Sequence, residues 1–242
     1  MELKLDLHVH SAASLDGRMS LNEIVEEAKA KGLHGVAICD HDVLYTGEQK
    51  QDFLVIPGIE YSTECGHLLG LFLTEPVEKT DIATLIDAIH AQGGLAVLAH
   101  PFARNRDEKR LEALLPLLDG VEVWNGRANR KNPKANEQAD RFAREKELLP
   151  FAGSDAHVPQ EIGNGYVCLQ AEERSLSAVK AALLKGNYAT RGTNGRHIYV
   201  AKSQYSKLKK TNAPLGKRLK WLAFAAKCLA SDLRLKFKSS HK

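Results

Sequence analysis

Nearly every short apolar run in this chain delivers a histidine or a carboxylate at one end. His8-Val9-His10 closes the alternating stretch Leu3–Val9, and Asp16 lies in the loop beyond it. Asp40-His41-Asp42 follows Leu33–Cys39, Glu60 follows Phe53–Ile59, and His67 opens Leu68–Leu73. His100 ends Leu95–Ala99, and Asp155-Ala156-His157 follows Leu148–Gly153. Runs this short, apolar and bounded by Gly or Pro read as buried strands. Val121–Trp124, Val167–Leu169 and Tyr188–Thr190 extend the set.

Helical patterns lie between the strands. Ser20-Leu21-Asn22-Glu23 is a capping box that leads into Ile24, Val25 and Ala28 and stops at Gly32. Asp81–Gln92 carries Ile82, Leu85, Ile86 and Ile89 on one face. Asp107–Leu115, Pro133–Lys146 and Leu176–Lys185 are further helices. This alternation predicts an α/β fold with mostly parallel strands, about seven of them; periodicity leaves open whether they close as a barrel or lie flat.

In such folds the C-terminal ends of the strands gather catalytic groups. His8/His10 and Asp155/His157 have i, i+2 spacing, which on an extended backbone points both side chains the same way. Nine residues are candidate ligands: His8, His10, Asp16, His41, Glu60, His67, His100, Asp155 and His157. Imidazoles facing carboxylates suit a transition metal rather than calcium, and nine donors exceed one tetrahedral zinc, so two or three ions with shared carboxylates are expected. Asp40 and Asp42 are expected to orient His41 through hydrogen bonds. His34, His90, His197 and His241 have no such placement and are read as ordinary histidines.

Composition matters in two places. With 43% hydrophobic and 26% charged residues over 242 positions, the chain is neither disordered, collagenous nor a multi-span membrane protein. The net charge of +4 hides a division: residues 201–242 hold twelve basic residues and one acid, Asp232. Residues 1–202 are therefore expected to form the α/β domain and 203–242 a basic, amphipathic helical extension. That extension carries Leu219, Leu222, Leu229 and Leu233 on one face, expected to dock on the barrel or on a second subunit. An anionic membrane surface or a nucleic acid is the alternative partner for 203–242. Four cysteines without a C-x-x-C pair, and an N-terminus lacking an apolar signal stretch, predict a cytoplasmic protein, with the tail offering peripheral membrane contact.

The ordered motifs DLHVHS (Asp6–Ser11), Asp16-Gly17, CDHD (Cys39–Asp42), PGIE (Pro57–Glu60), GHLLGL (Gly66–Leu71), AHPF (Ala99–Phe102), EVWN (Glu122–Asn125) and GSDAH (Gly153–His157) resemble the PHP family. These are the metal-dependent phosphoesterases of the polymerase and histidinol phosphatase superfamily. The resemblance covers about residues 3–170. It implies a distorted (β/α)7 barrel with up to three metals at its mouth. It assigns His8, His10, Glu60 and Asp155 to one metal, Glu60 as a bridge to a second held by His67 and His100, and Asp16, His41 and His157 to a third. The chain departs from the family in having Cys39 where a threonine is usual, and in leaving only eighteen residues between His41 and Glu60, too few for a full crossover helix.

The implied activity is hydrolysis of phosphate esters, of a small phosphorylated metabolite or a nucleotide, by a metal-activated hydroxide positioned by Glu60 and Asp155. The cofactors expected are two or three divalent Mn, Fe or Zn ions. Arg127 and Arg130, after EVWN, are expected to bind the phosphoryl group, and Arg104 and Arg106 stand in the other candidate mouth loop. The competing readings are an oligonucleotide-trimming nuclease that grips its strand with the basic tail, and a metal-binding regulatory module without turnover.

Overall fold

A computed structural model describes residues 1–46, 50, 52–103 and 108–239. Its centre is a single sheet in the order β7-β6-β5-β4-β3-β2-β1-β8-β9. The strands are β1 (Glu2–Val9), β2 (Gly35–His41), β3 (Leu54–Thr63), β4 (Gly66–Leu71), β5 (Leu95–Leu98), β6 (Gly120–Asn125), β7 (Leu149–Gly153), β8 (Gly165–Gln170) and β9 (Tyr188–Gly192). Six of the first seven strands run the same way; β4 is reversed, antiparallel to both β3 and β5.

The sheet curls until β7 meets β1. The Asp155 amide donates to His8 O and the His10 amide to Ala156 O, both at 2.8 Å. Gly153 sits at this seam because a Cβ there would lie 2.3 Å from the Cβ of His8. The first seven strands thus form the distorted (β/α)7 barrel, with β8 and β9 added antiparallel beyond β1.

The period-2 pattern of each strand decides what faces inward. Leu3, Leu5, Leu7, Ile56, Leu69, Val97 and Phe151 fill the barrel. The alternate residues Val36, Ile38 and Val55 meet Ile24, Val25 and Ala28 of helix α1 (Leu21–Ala30). Ile59, Leu68, Ala96, Leu98 and Val121 meet Ile82, Leu85, Ile86 and Ile89 of α2 (Ile82–Ala91). Each such aliphatic side chain contributes about 1.5–3 kcal/mol on burial, so these faces dominate helix stability; the Ser20–Glu23 capping box of α1 adds about 1 kcal/mol.

Helices α3 (Glu108–Leu114) and α4 (Ala135–Glu145) cross between β5, β6 and β7, and α5 (Leu176–Leu184) separates β8 from β9. Among the described residues no helix joins β2 to β3, in keeping with the short His41–Glu60 interval. Cys39 is a buried strand residue.

The C-terminal region is a helical hairpin. α6 (His197–Lys210) runs unbroken across residue 203, where the composition turns basic, and a turn at Thr211–Ala213 leads into α7 (Leu215–Ser239). The two are joined by Trp221 Nε1 donating to Ala201 O at 2.8 Å and by the Tyr205 and Trp221 rings, 4.8 Å apart. Asp232 accepts from the amides of His197 and Ile198, capping the start of α6. The expectation that the leucine stripe docks on the barrel is corrected here. Leu219, Leu222, Leu229 and Leu233 are exposed, and the inward face of α7 is formed by Trp221, Phe224, Cys228 and Asp232. Periodicity finds both faces of such a helix but does not say which one packs, and here the aromatic face wins.

Candidate active site

The nine candidate ligands converge on one mouth of the barrel. β1, β2, β5 and β7 deliver theirs at or just past their C-terminal ends, and Glu60 lies within β3, level with His41 at the end of β2; reversed β4 delivers His67 near its start, which lies at the same edge because the strand runs the other way. Three groups of donor atoms each lie within 4.8 Å of one another: His8, His10 and Asp155; Glu60, His67 and His100; and His10, His41 and His157. Asp16 joins the last, its Oδ1 3.4 Å from His157 Nε2 and 3.7 Å from His41 Nε2.

Glu60 is the hub. Its Oε1 lies 2.6 Å from His67 Nδ1 and 3.0 Å from His100 Nε2. Its Oε2 lies 3.0 Å from His41 Nδ1, 3.4 Å from His10 Nε2 and 3.6 Å from His8 Nε2. Burial alone would raise the Glu60 carboxyl, but the field of His8 and bonds from the other imidazoles hold it well below the carboxylate range. Asp155 is likewise held well below that range against its burial, chiefly by His10 and His8.

The tautomers follow from the surrounding network. Ser14 Oγ donates to Asp40 Oδ1 at 2.6 Å, so it accepts from His10 Nδ1 at 3.2 Å, leaving a lone pair on His10 Nε2. Burial and the neighbouring His157 keep His10 well below the usual imidazole pKa, so that lone pair stays bare. His8 Nδ1 donates to the Glu122 carboxylate, Oε1 lying 3.0 Å away. On the other side His8 Nε2 stands 3.1 Å from His10 Nε2. Burial lowers His8, yet Glu122 and Glu60 outweigh it and raise it well above the usual value. The spot between His8, His10, Glu60 and Asp155 therefore asks for a positive charge. Asp16 Oδ1 is buried without a hydrogen bond. A buried carboxylate oxygen left open beside converging imidazoles fits a divalent cation.

Asp155 has φ 55° and His100 φ 29°, left-handed values that non-glycine residues rarely adopt. The Asp155/His157 pair therefore meets through a turn after β7, which ends at Gly153, rather than through extended spacing. Strained backbone at the mouth is common where side-chain placement is functional.

Asp40 does not orient His41 directly. It accepts from the Ser11 amide at 2.8 Å, Ser11 Oγ at 2.5 Å, and the Ser14 amide and hydroxyl, so it anchors the loop after β1. Ser14 Oγ in turn accepts from the His41 amide at 3.0 Å. Glu122 was not singled out by sequence, though EVWN contained it. Its Oε2 also accepts from the His100 amide at 2.8 Å and from Asn125 Nδ2 at 2.9 Å, tying two ligand strands together. A carboxylate at an inward position of a buried strand was the signal.

Arg127, Arg130 and Lys131 line the mouth, together with Val200 and Gln204 of α6. Arg127 is partly buried and spends Nε and Nη2 on Glu161, at 2.7 and 2.5 Å. Glu161 also accepts from the His157 amide at 3.0 Å. Arg130 lies 6.0 Å from the Phe224 ring of α7. Arg104 and Arg106 fall outside the described residues, as does His241. His34 and His90 lie away from the mouth, bonded to the Lys4 amide and to Asp119, and His197 meets Asp232.

Fold and site together define an α/β barrel with side-chain clusters able to hold several divalent metals at its mouth. The PHP domain model matches residues 6–149, and a PHP-associated model matches 133–188. The chain belongs to the PHP domain family, whose members are metal-dependent hydrolases. An uncharacterized protein of Methanocaldococcus jannaschii is 36% identical over 175 residues, 68% of this chain and 70% of that protein. A 5'-3' exoribonuclease of Haemophilus influenzae is 24% identical, over 66% of this chain and 92% of its own length. Two solved structures share the fold. A two-domain protein from Bacteroides vulgatus containing a predicted PHP-like metal-dependent phosphoesterase has a TM-score of 0.65 at 22% identity, covering 85% of this chain and 70% of that one. Endonuclease Q with an abasic duplex has a TM-score of 0.63 at 18% identity, covering 81% and 61%. At those identities the likeness is one of fold.

Proposed function

We propose that the protein hydrolyses phosphate esters of a small phosphorylated metabolite or nucleotide at a centre of two or three divalent transition metals, Mn, Fe or Zn. The observation that carries this reading is Glu60, one buried carboxylate whose two oxygens face five imidazoles from both sides. That placement suits a bridge between cations. His8, His10, Glu60 and Asp155 would hold one metal, Glu60, His67 and His100 a second, and Asp16, His41 and His157 a third. The metals, when bound, acidify water and offset charge on the phosphoryl oxygens. Glu60 and Asp155 accept hydrogen bonds from the attacking water and fix its direction. Arg130 binds the phosphoryl group; Arg127 serves more through charge, since two of its nitrogens are committed to Glu161.

A nuclease reading has specific support in the named relatives and in the basic α6, whose Val200 and Gln204 border the mouth. Metal analysis joined to turnover of p-nitrophenyl phosphate, nucleotides and short oligonucleotides separates the two. More than one metal per chain and fast monoester turnover are expected, abolished in His8→Ala/His10→Ala. Full activity in that variant sinks the proposal, and oligonucleotide trimming that outpaces every monoester replaces the first reading with the second.

A further inference from the structure

We infer that α7 is a docking surface for an anionic lipid bilayer, lying in its interface with the leucine stripe inward. At about 100° per residue, Leu215, Leu219, Leu222, Leu229 and Leu233 fall within about 40° of one line along the helix. All five are 46% to 72% exposed. The opposite side is already used: Trp221 bonds α6, Cys228 is buried and Asp232 caps α6. An apolar stripe of this length on the outside of a packed hairpin is unusual for a surface with no partner.

Charge chooses the occupant. α7 carries seven basic residues and one acid, and that acid is the inward Asp232. Lys220, Lys227 and Arg234 run along one edge of the stripe, and Arg218 and Lys236 along the other, all exposed. A leucine row between two cationic rows matches acyl chains below anionic headgroups. A second copy would bring two such cationic helices face to face. A nucleic acid would engage the cations but leave the leucines in water. No helix among the described residues is long and apolar enough to cross a membrane, so the contact is peripheral.

The test is sedimentation of the metal-loaded full chain with vesicles of phosphatidylcholine alone or mixed equally with phosphatidylglycerol. Binding to the mixed vesicles only, weakened by salt, is expected. Leu222→Glu/Leu229→Glu should weaken it by about tenfold or more, with circular dichroism and monoester turnover unchanged. Lys220→Glu/Lys227→Glu should also release the protein. Failure of the wild-type chain to pellet with anionic vesicles overturns the proposal. So does a dimer, in size-exclusion chromatography, that the leucine variant dissociates while vesicles have no effect. Binding of a single-stranded oligonucleotide that the lysine variant abolishes and the leucine variant spares, without vesicle binding, assigns the surface to nucleic acid instead.

Discussion

Glu122 and Arg127 illustrate how much of this site is decided by residues one step behind the donors. Glu122 accepts a hydrogen bond from His8 Nδ1, which leaves Nε2 aimed at the centre. Glu122→Gln keeps the shape and removes the charge that favours this tautomer. Metal affinity is expected to fall by about 10–100-fold, read as metal retained after dialysis against graded chelator; unchanged retention would show that Glu122 does not act through His8. Arg127 shows the opposite case. Its position after EVWN suggested a substrate clamp, but the buried Glu161 takes two of its nitrogens and simultaneously holds the His157 amide. The nine donors were legible because nearly all follow or border a short apolar run. Glu122 and Glu161 were not, because their roles depend on partners 114 and 34 residues away.

At the scale of elements, the C-terminal hairpin is coupled to the loop after β1. Lys210, the last residue of α6, donates through Nζ to the carbonyls of Ala12, Ser14 and Gly17 at 2.7, 2.6 and 2.8 Å. That loop carries Asp16. Lys210→Met retains the apolar stem and loses all three bonds, a cost of about 1–3 kcal/mol. The expected result is a lower thermal midpoint and faster amide exchange over residues 12–17; equal exchange would mean the loop is held by Asp40 alone. Strands and helices were read within a few residues of their observed bounds, since burial imposes period 2 or 3.6 directly on the sequence. α6 was not recognised, because its apolar residues are few and its contacts are to α7. The reversal of β4 after β3 explains why His67 lies near the start of its strand.

For the whole molecule, the barrel mouth gathers Asp16, Glu60, Asp155 and six histidines around one point. Cations held there would stabilise the fold. At a concentration of about 100 times Kd, each independent metal adds about 2.7 kcal/mol, worth about 5–10 °C in Tm for a chain of this size. Chelation should lower Tm by at least that much, and re-addition of Mn, Fe or Zn should restore it in a concentration-dependent way. A Tm indifferent to chelator would show that the donors are satisfied without metal. The charge division along the chain survives folding in altered form: the basic segment is a helical hairpin with one of its helices against the mouth and the other turning its leucines outward.

The sequence by itself determined the strand–helix order, the apolar faces of α1 and α2, and which donors border the apolar runs. Those follow from local periodicity and from the burial each element needs. Only the tertiary structure decided that β7 closes on β1, that Glu60 faces five imidazoles, that Asp40 serves the Ser11–Ser14 loop, and which face of α7 packs. Each of these is a meeting of distant segments, and contact at a distance leaves no period in a chain.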